Sequence, residues 1–167
     1  MTTLPRLTLI AAVALCAGTA QAQTQEAAPA ATHQVLSTNP FGDLLTWWNV
    51  EYERTVGPAT TWVASASAIP SEYASASVMV RWYPAQTPLD GFYLGAHAGI
   101  FSFHDYAHGA DTVPGAGLDV GRAWLLGRQQ RTSISLGFGM TRLAAGSRSA
   151  APSVWPVPRL INVGVAF

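Results

Sequence analysis

The stretch Thr132-Ser-Ile-Ser-Leu-Gly-Phe-Gly-Met-Thr-Arg142 sets Ile134, Leu136, Phe138 and Met140 in alternation with Ser133, Ser135, Gly137 and Gly139. In an extended chain successive side chains point to opposite faces, whereas an amphipathic helix repeats its apolar residues every three to four positions. The segment reads as a strand with one bulky apolar face and one face of very small residues. A soluble barrel would turn the bulky face inward and leave a nearly uncharged Gly/Ser face in water, a poor soluble surface. A narrow membrane barrel suits it better, because small inward residues leave room for a few large polar ones.

The same alternation recurs on either side of this stretch. Leu44 to Thr55 sets Trp48, Val50 and Tyr52 against Asn49, Glu51 and Glu53, and Thr60 to Ile69 sets Trp62 and alanines against Ser65 and Ser67. Tyr73 to Tyr83 sets Ala76, Val78, Val80 and Trp82 against Ser75, Ser77 and Arg81. Phe92 to Phe103 sets Leu94 and Ile100 against Gly95, His97 and Gly99, and Ala116 to Leu126 sets Leu118, Val120 and Trp124 against Gly117, Asp119 and Gly121. The last strand sets Ile161, Val163, Val165 and Phe167 against Asn162, Gly164 and Ala166. Clusters of Gly, Pro, Asn and Asp separate the runs, and no segment sustains helical spacing, so the fold class is all-β.

Composition points the same way. Charged residues make up 11% of the chain, well below the roughly 25% of soluble domains. Apolar content is high without a long apolar run, as expected where each membrane-crossing strand needs only every second residue apolar. The chain has no lysine, and its arginines and carboxylates balance, which excludes the basic footprint of a nucleic-acid binder.

The beginning of the chain reads as an export signal: Arg6, the apolar run Leu7 to Ala17, then Ala20-Gln21-Ala22 as a small-x-small cleavage site. This reading makes residues 1–22 a signal peptide, 23–32 a flexible periplasmic leader and 33–167 the barrel. Cleavage would remove Cys16, the only cysteine.

Seven strands are evident, and a bacterial single-chain barrel has an even number with both ends in the periplasm. The long segments His104 to Gly115 and Ala144 to Pro158 are then extracellular loops, and Gly127 to Arg131 is a periplasmic turn. An upward strand must precede Leu44, and His33 to Asn39 supplies it, with Asn39-Pro-Phe-Gly42 as its turn. The expected fold is an eight-stranded antiparallel up-and-down transmembrane β-barrel. This topology gathers Tyr52, Trp62, Trp82, Phe92, Trp124 and Phe167 into one aromatic girdle at the periplasmic end, where amphipathic rings favour the headgroup level. Arg122 is a misfit, pointing outward between Val120 and Trp124.

Leu160-Ile-Asn-Val-Gly-Val-Ala-Phe167 resembles the alternating, aromatic-terminated last strand of small bacterial outer-membrane β-barrel proteins with the eight-stranded OmpA/OmpX-like architecture. Asn39-Pro-Phe-Gly42 followed by Asn49-Val-Glu-Tyr-Glu-Arg54 resembles the early strand of an uncharacterised barrel subgroup. The resemblance implies an integral outer-membrane protein of Gram-negative type, surrounded by outer-membrane lipid and handled by the barrel-assembly machinery. It implies no activity and no cofactor.

Two groups of residues are candidates for chemistry. Glu51, Glu53, Arg81, His97 and Asp119 fall on the inward face, where opposite charges would offset the cost of burial. They read as a structural plug, or alternatively as the lining of a narrow polar channel. His104, Asp105, His108 and Asp111 are metal-ligand residue types in a predicted loop, and they read as a solvated loop or as a metal or ligand site. A lipid A-modifying enzyme is the alternative of another class, with Ser102 and His104 near the outer leaflet. The leading expectation is a structural or surface-interaction role without a catalytic motif.

Overall fold

A computed structural model describes residues 32–44, 46–105, 109–144 and 153–167. The proposed signal peptide, and all of the leader except Thr32, lie outside the described residues. Strands β1 (Gln34–Thr38), β2 (Trp48–Gly57), β3 (Thr60–Ile69), β4 (Tyr73–Trp82), β5 (Gly91–Asp105), β6 (Gly109–Leu126), β7 (Thr132–Leu143) and β8 (Val154–Ala166) are joined in sequence order, with one short helix, α1 (Pro40–Leu44). Each strand pairs antiparallel with the next, and β1 pairs with β8 to close the ring. The molecule is an all-β, up-and-down barrel of eight strands.

Alternation decides which side of the wall each residue occupies. Outward residues such as Val78, Leu118 and Val165 are exposed at 61%, 72% and 61%. Inward residues of the same strands are small, or are the larger polar, aromatic and aliphatic groups that fill the interior. Glycines provide the space: a Cβ at Gly117 would lie 2.8 Å from the His97 ring, and one at Gly121 would lie 2.4 Å from the Tyr93 hydroxyl.

The connections alternate between two ends. The end holding the β1 start and the β8 finish carries the turns at 58–59, 83–90 and 127–131, and the other carries α1, the 70–72 turn and the β5–β6 and β7–β8 hairpins. At the β1–β2 connection the expected turn is a helical one. Asn39 caps it, its Oδ1 accepting from the Phe41 and Gly42 amides at 3.0 and 3.2 Å, and Pro40 takes the first helical position. The second strand therefore begins at Trp48 rather than Leu44.

The two long loops are shorter than expected. β5 and β6 stay in register from Phe103↔Asp111 to Asp105↔Gly109, so most of the segment 104–115 is strand. β8 begins at Val154, not near Leu160. Pro114, Pro156 and Pro158 had marked these segments as loop, since proline cannot donate to a ladder. All three sit in paired strands.

β8 also contains a bulge. Ser135 pairs with Asn162 and Gly137 with Arg159, so residues 160 and 161 together oppose Leu136. The extra residue reverses the parity of the strand. Before it Arg159 points inward, and after it Asn162 and Ala166 do; all three are buried.

Candidate functional site: a layer of charge beneath a serine-lined cup

The interior is stratified along its length. Near the start of β1 and the finish of β8, Val35, Ala166 and Leu89 form an apolar floor, with Leu89 reaching in from the β4–β5 turn. Tyr83, Tyr93 and Ala123 lie above it. Near the other end, Tyr73, Phe101, Val113 and Leu143 pack with Phe103 and Trp155, and the Trp155 ring stacks on Tyr73 at 5.6 Å between centroids.

Between these layers lies one continuous polar network. Glu53 accepts from Thr61 Oγ1 at 2.6 Å, from Tyr83 Oη at 2.7 Å and from Arg81. Arg81 also donates to Glu51 at 2.6 Å, and the second Glu51 oxygen accepts from Arg159. Arg159 Nε donates to Asp119 at 2.8 Å, the other Asp119 oxygen meets His97 Nδ1, and His97 Nε2 lies 2.7 Å from Thr141 Oγ1. Arg81 stacks over Tyr93, 4.3 Å from its centroid. Every ionisable member is buried. The chain of bonds takes side chains from every strand except β1, so it ties the wall together across the lumen.

Glu51, Glu53, Arg81, His97 and Asp119 are thus brought together, and Arg159 joins two of their carboxylates. Sequence alternation missed Arg159, because counting back from Phe167 without the bulge turns it outward. Thr61, Tyr83, Tyr93 and Thr141 were also missed; as polar residues on the inward parity of their strands, they carried the signal that would have found them.

The charge balance is close. Three carboxylates face two guanidinium groups, which leaves one negative charge if His97 is neutral and none if it is an imidazolium. Asp119, His97 and Thr141 have the order of an acid–base–hydroxyl relay. Thr141 is fully buried and does not line the cavity described next, so its hydroxyl cannot meet a substrate there.

Above the charge layer a cavity of about 220 Å³ lies toward the hairpin end. His97 and Arg159 form its floor. Asn49 with Ser65, Ser67, Ser75 and Ser77, from β2, β3 and β4, supplies its polar lining, and Tyr73 from β4, Phe101 from β5 and Trp155 from β8 supply its aromatic lining. The hydroxyls pair across strands: Ser65 bonds Ser77 at 2.8 Å, and Ser67 accepts from Trp47 Nε1 at 2.5 Å.

The second candidate group falls only partly within the described residues. His104 and Asp111 stand on β5 and β6, Asp105 ends β5, and His108 lies outside the described residues. Among the described residues no three His, Cys, Asp or Glu side chains are grouped to hold a metal ion. Ser102 and His104 have outward parity, opposite to buried Phe101, and Ser102 accepts from Thr112 at 3.1 Å.

On the outer face, Trp62, Trp82, Phe92, Trp124 and Phe167 all lie within three residues of the end where β1 starts and β8 finishes. Tyr52 joins them through an edge contact with Trp62 at 5.4 Å. Arg122 points outward in unbroken register between Phe92 and Leu136, with its guanidinium 5.5 Å from the Trp124 centroid.

No family model, curated protein or solved structure matches the chain.

Proposed function

We propose that this chain is an integral outer-membrane barrel, closed to ion flow, that serves a structural or surface-interaction role. The observation that carries the reading is the inversion of the molecule: charge is held inside and bulky apolar side chains cover the outside. Monomeric soluble proteins rarely expose contiguous apolar patches beyond a few hundred Å². Here large exposed apolar residues occur on every strand except β3, from Leu36 on β1 to Val165 on β8, and the outward positions of β3 are Trp62 and alanines. Ten-residue strands such as β3 match the roughly 9–11 residues that a tilted strand needs to cross a bilayer. The aromatic girdle at the end where β1 starts and β8 finishes supports a periplasmic placement of that end.

A non-conducting interior is favoured over a channel because an ion would have to break bonds in a layer that reaches across the lumen. The test has two parts. Full-length protein expressed in a Gram-negative cell should fractionate with the outer membrane, and purified protein in planar bilayers should give no steady conductance. Recovery from the periplasm without detergent would overturn the membrane reading. Stable single-channel steps would overturn the plug.

A further inference from the structure

We propose that the cup above the charge layer is a binding site for one neutral pyranose ring, either a free monosaccharide or the terminal residue of a surface glycan. This goes beyond the structural role, and only the detergent and the gel-mobility control of its test rest on the membrane reading.

The lining of the cup combines two chemistries, polar and aromatic. Asn49, Ser65, Ser67, Ser75 and Ser77 place hydroxyl and amide groups on neighbouring strands β2, β3 and β4. Their register sets Ser67 between Asn49 and Ser75, and Ser65 beside Ser77. Unlike the residues of the charge layer, all five are only half-buried. The Asn49 Oδ1 atom is buried and has no hydrogen-bond partner among the described residues, and a buried acceptor left unpaired is costly. A ligand hydroxyl donating to it would remove that cost. Aromatic surface comes from Trp155 on β8 and Phe101 on β5, and from Tyr73, which precedes Ser75 on β4 and stacks on Trp155.

A pyranose has matching sides. Its hydroxyl edge both donates and accepts, as serine does, and its C–H face packs on aromatic rings. The floor argues for a neutral ligand. Arg159 already commits Nε and Nη1 to Asp119 and Glu51, and His97 is held between Asp119 and Thr141. A charged group would disturb a network that is balanced to within one charge. The volume of about 220 Å³ suits one ring rather than a chain of sugars.

The experiment uses the full-length protein in a detergent without a sugar headgroup, titrated with methyl hexopyranosides while tryptophan fluorescence is followed. At least one neutral glycoside should give a saturable change, and glucuronate and glucosamine should bind about tenfold or more weakly. Ser77→Ala and Trp155→Phe should each weaken binding severalfold, whereas Trp82→Phe on the outer face should not. Heat-dependent gel mobility establishes that each variant is folded. Should Trp155→Phe fail to fold, Ser77→Ala carries the comparison. Tighter binding of a released core oligosaccharide than of its terminal methyl glycoside identifies a surface glycan as the source, and equal binding identifies a free sugar. Absence of saturation with every neutral glycoside, equal binding of the charged sugars, or displacement of the glycoside by a short alkyl alcohol would overturn the proposal.

Discussion

Glu51 is the residue on which the interior turns, because its two oxygens receive Arg81 and Arg159 from different strands. Replacement by glutamine leaves two buried guanidinium groups without their shared counter-charge. Breaking one side of a buried ion pair costs about 3–5 kcal/mol, so Glu51→Gln should lose about that much in urea unfolding from lipid vesicles. Tyr83→Phe removes a single hydrogen bond to Glu53 and should cost less, about 1.5–3 kcal/mol for a bond to a charged group. A loss at Tyr83 as large as that at Glu51 would mean that the hydroxyl, rather than the pairing of charge, organises the layer. Five members of the layer were legible in the sequence because each is a charged or titratable residue on the small-residue parity of its strand. Arg159 was not, since it follows two prolines and precedes a bulge, and a period-two count cannot register an inserted residue.

The strands repeat this lesson. β7, with a bulky apolar residue at every second position, has sequence-read limits that match the structure to within one residue, and so does β3, where Trp62 and alanines alternate with serines. The limits failed where Gly-Ala-Asp-Thr-Val-Pro114 and Val-Trp-Pro-Val-Pro158 carry turn-forming residues inside paired strand. There tertiary pairing with an already formed neighbour overrides local preference. Two strand-level changes separate the roles of bulge and seam. Deleting Ile161 removes the extra residue, so that residue 160 alone opposes Leu136 and plain alternation still turns both Arg159 and Asn162 inward. The expected outcome is a barrel that reaches the heat-modifiable folded form with the charge layer intact, and failure to fold would mean that the bend of the bulge, rather than the residue count, is required. At the seam, a Cβ at Gly164 would lie 2.4 Å from the Leu36 carbonyl oxygen. Gly164→Val should destabilise the barrel by about 1–3 kcal/mol, the usual cost of overpacking, and hydrogen exchange should rise first in β1.

For the whole molecule, the direction in which the wall faces is the decisive property. Val80, Leu94 and Leu136 are exposed at 55%, 43% and 47%, and arginine at each should cost roughly 2–4 kcal/mol near a bilayer midplane. Arginine at Ser77 enters the half-buried cup and should cost less. Equal tolerance at both sets, read from refolding in vesicles, would mean that the outer face meets water. A cysteine at Gly109 should react with an impermeant thiol reagent on intact cells, and one at Gln129 only after the outer membrane is opened. Reversed labelling would invert the orientation without disturbing the barrel.

The closure of β1 on β8 leaves the two ends of the barrel hydrogen-bonded to each other: Gln34 and Phe167 exchange amide bonds at 2.9 Å, and Phe167 also accepts from His33. A wall that is hydrogen-bonded all the way round has no privileged point of entry for the chain. A circular permutant that links Phe167 to His33 through a few flexible residues, and reopens between β5 and β6 at residues 106–108, keeps every strand pair and every member of the charge layer. It should fold to a barrel of the same stability, with its new ends on the face that carries the cup.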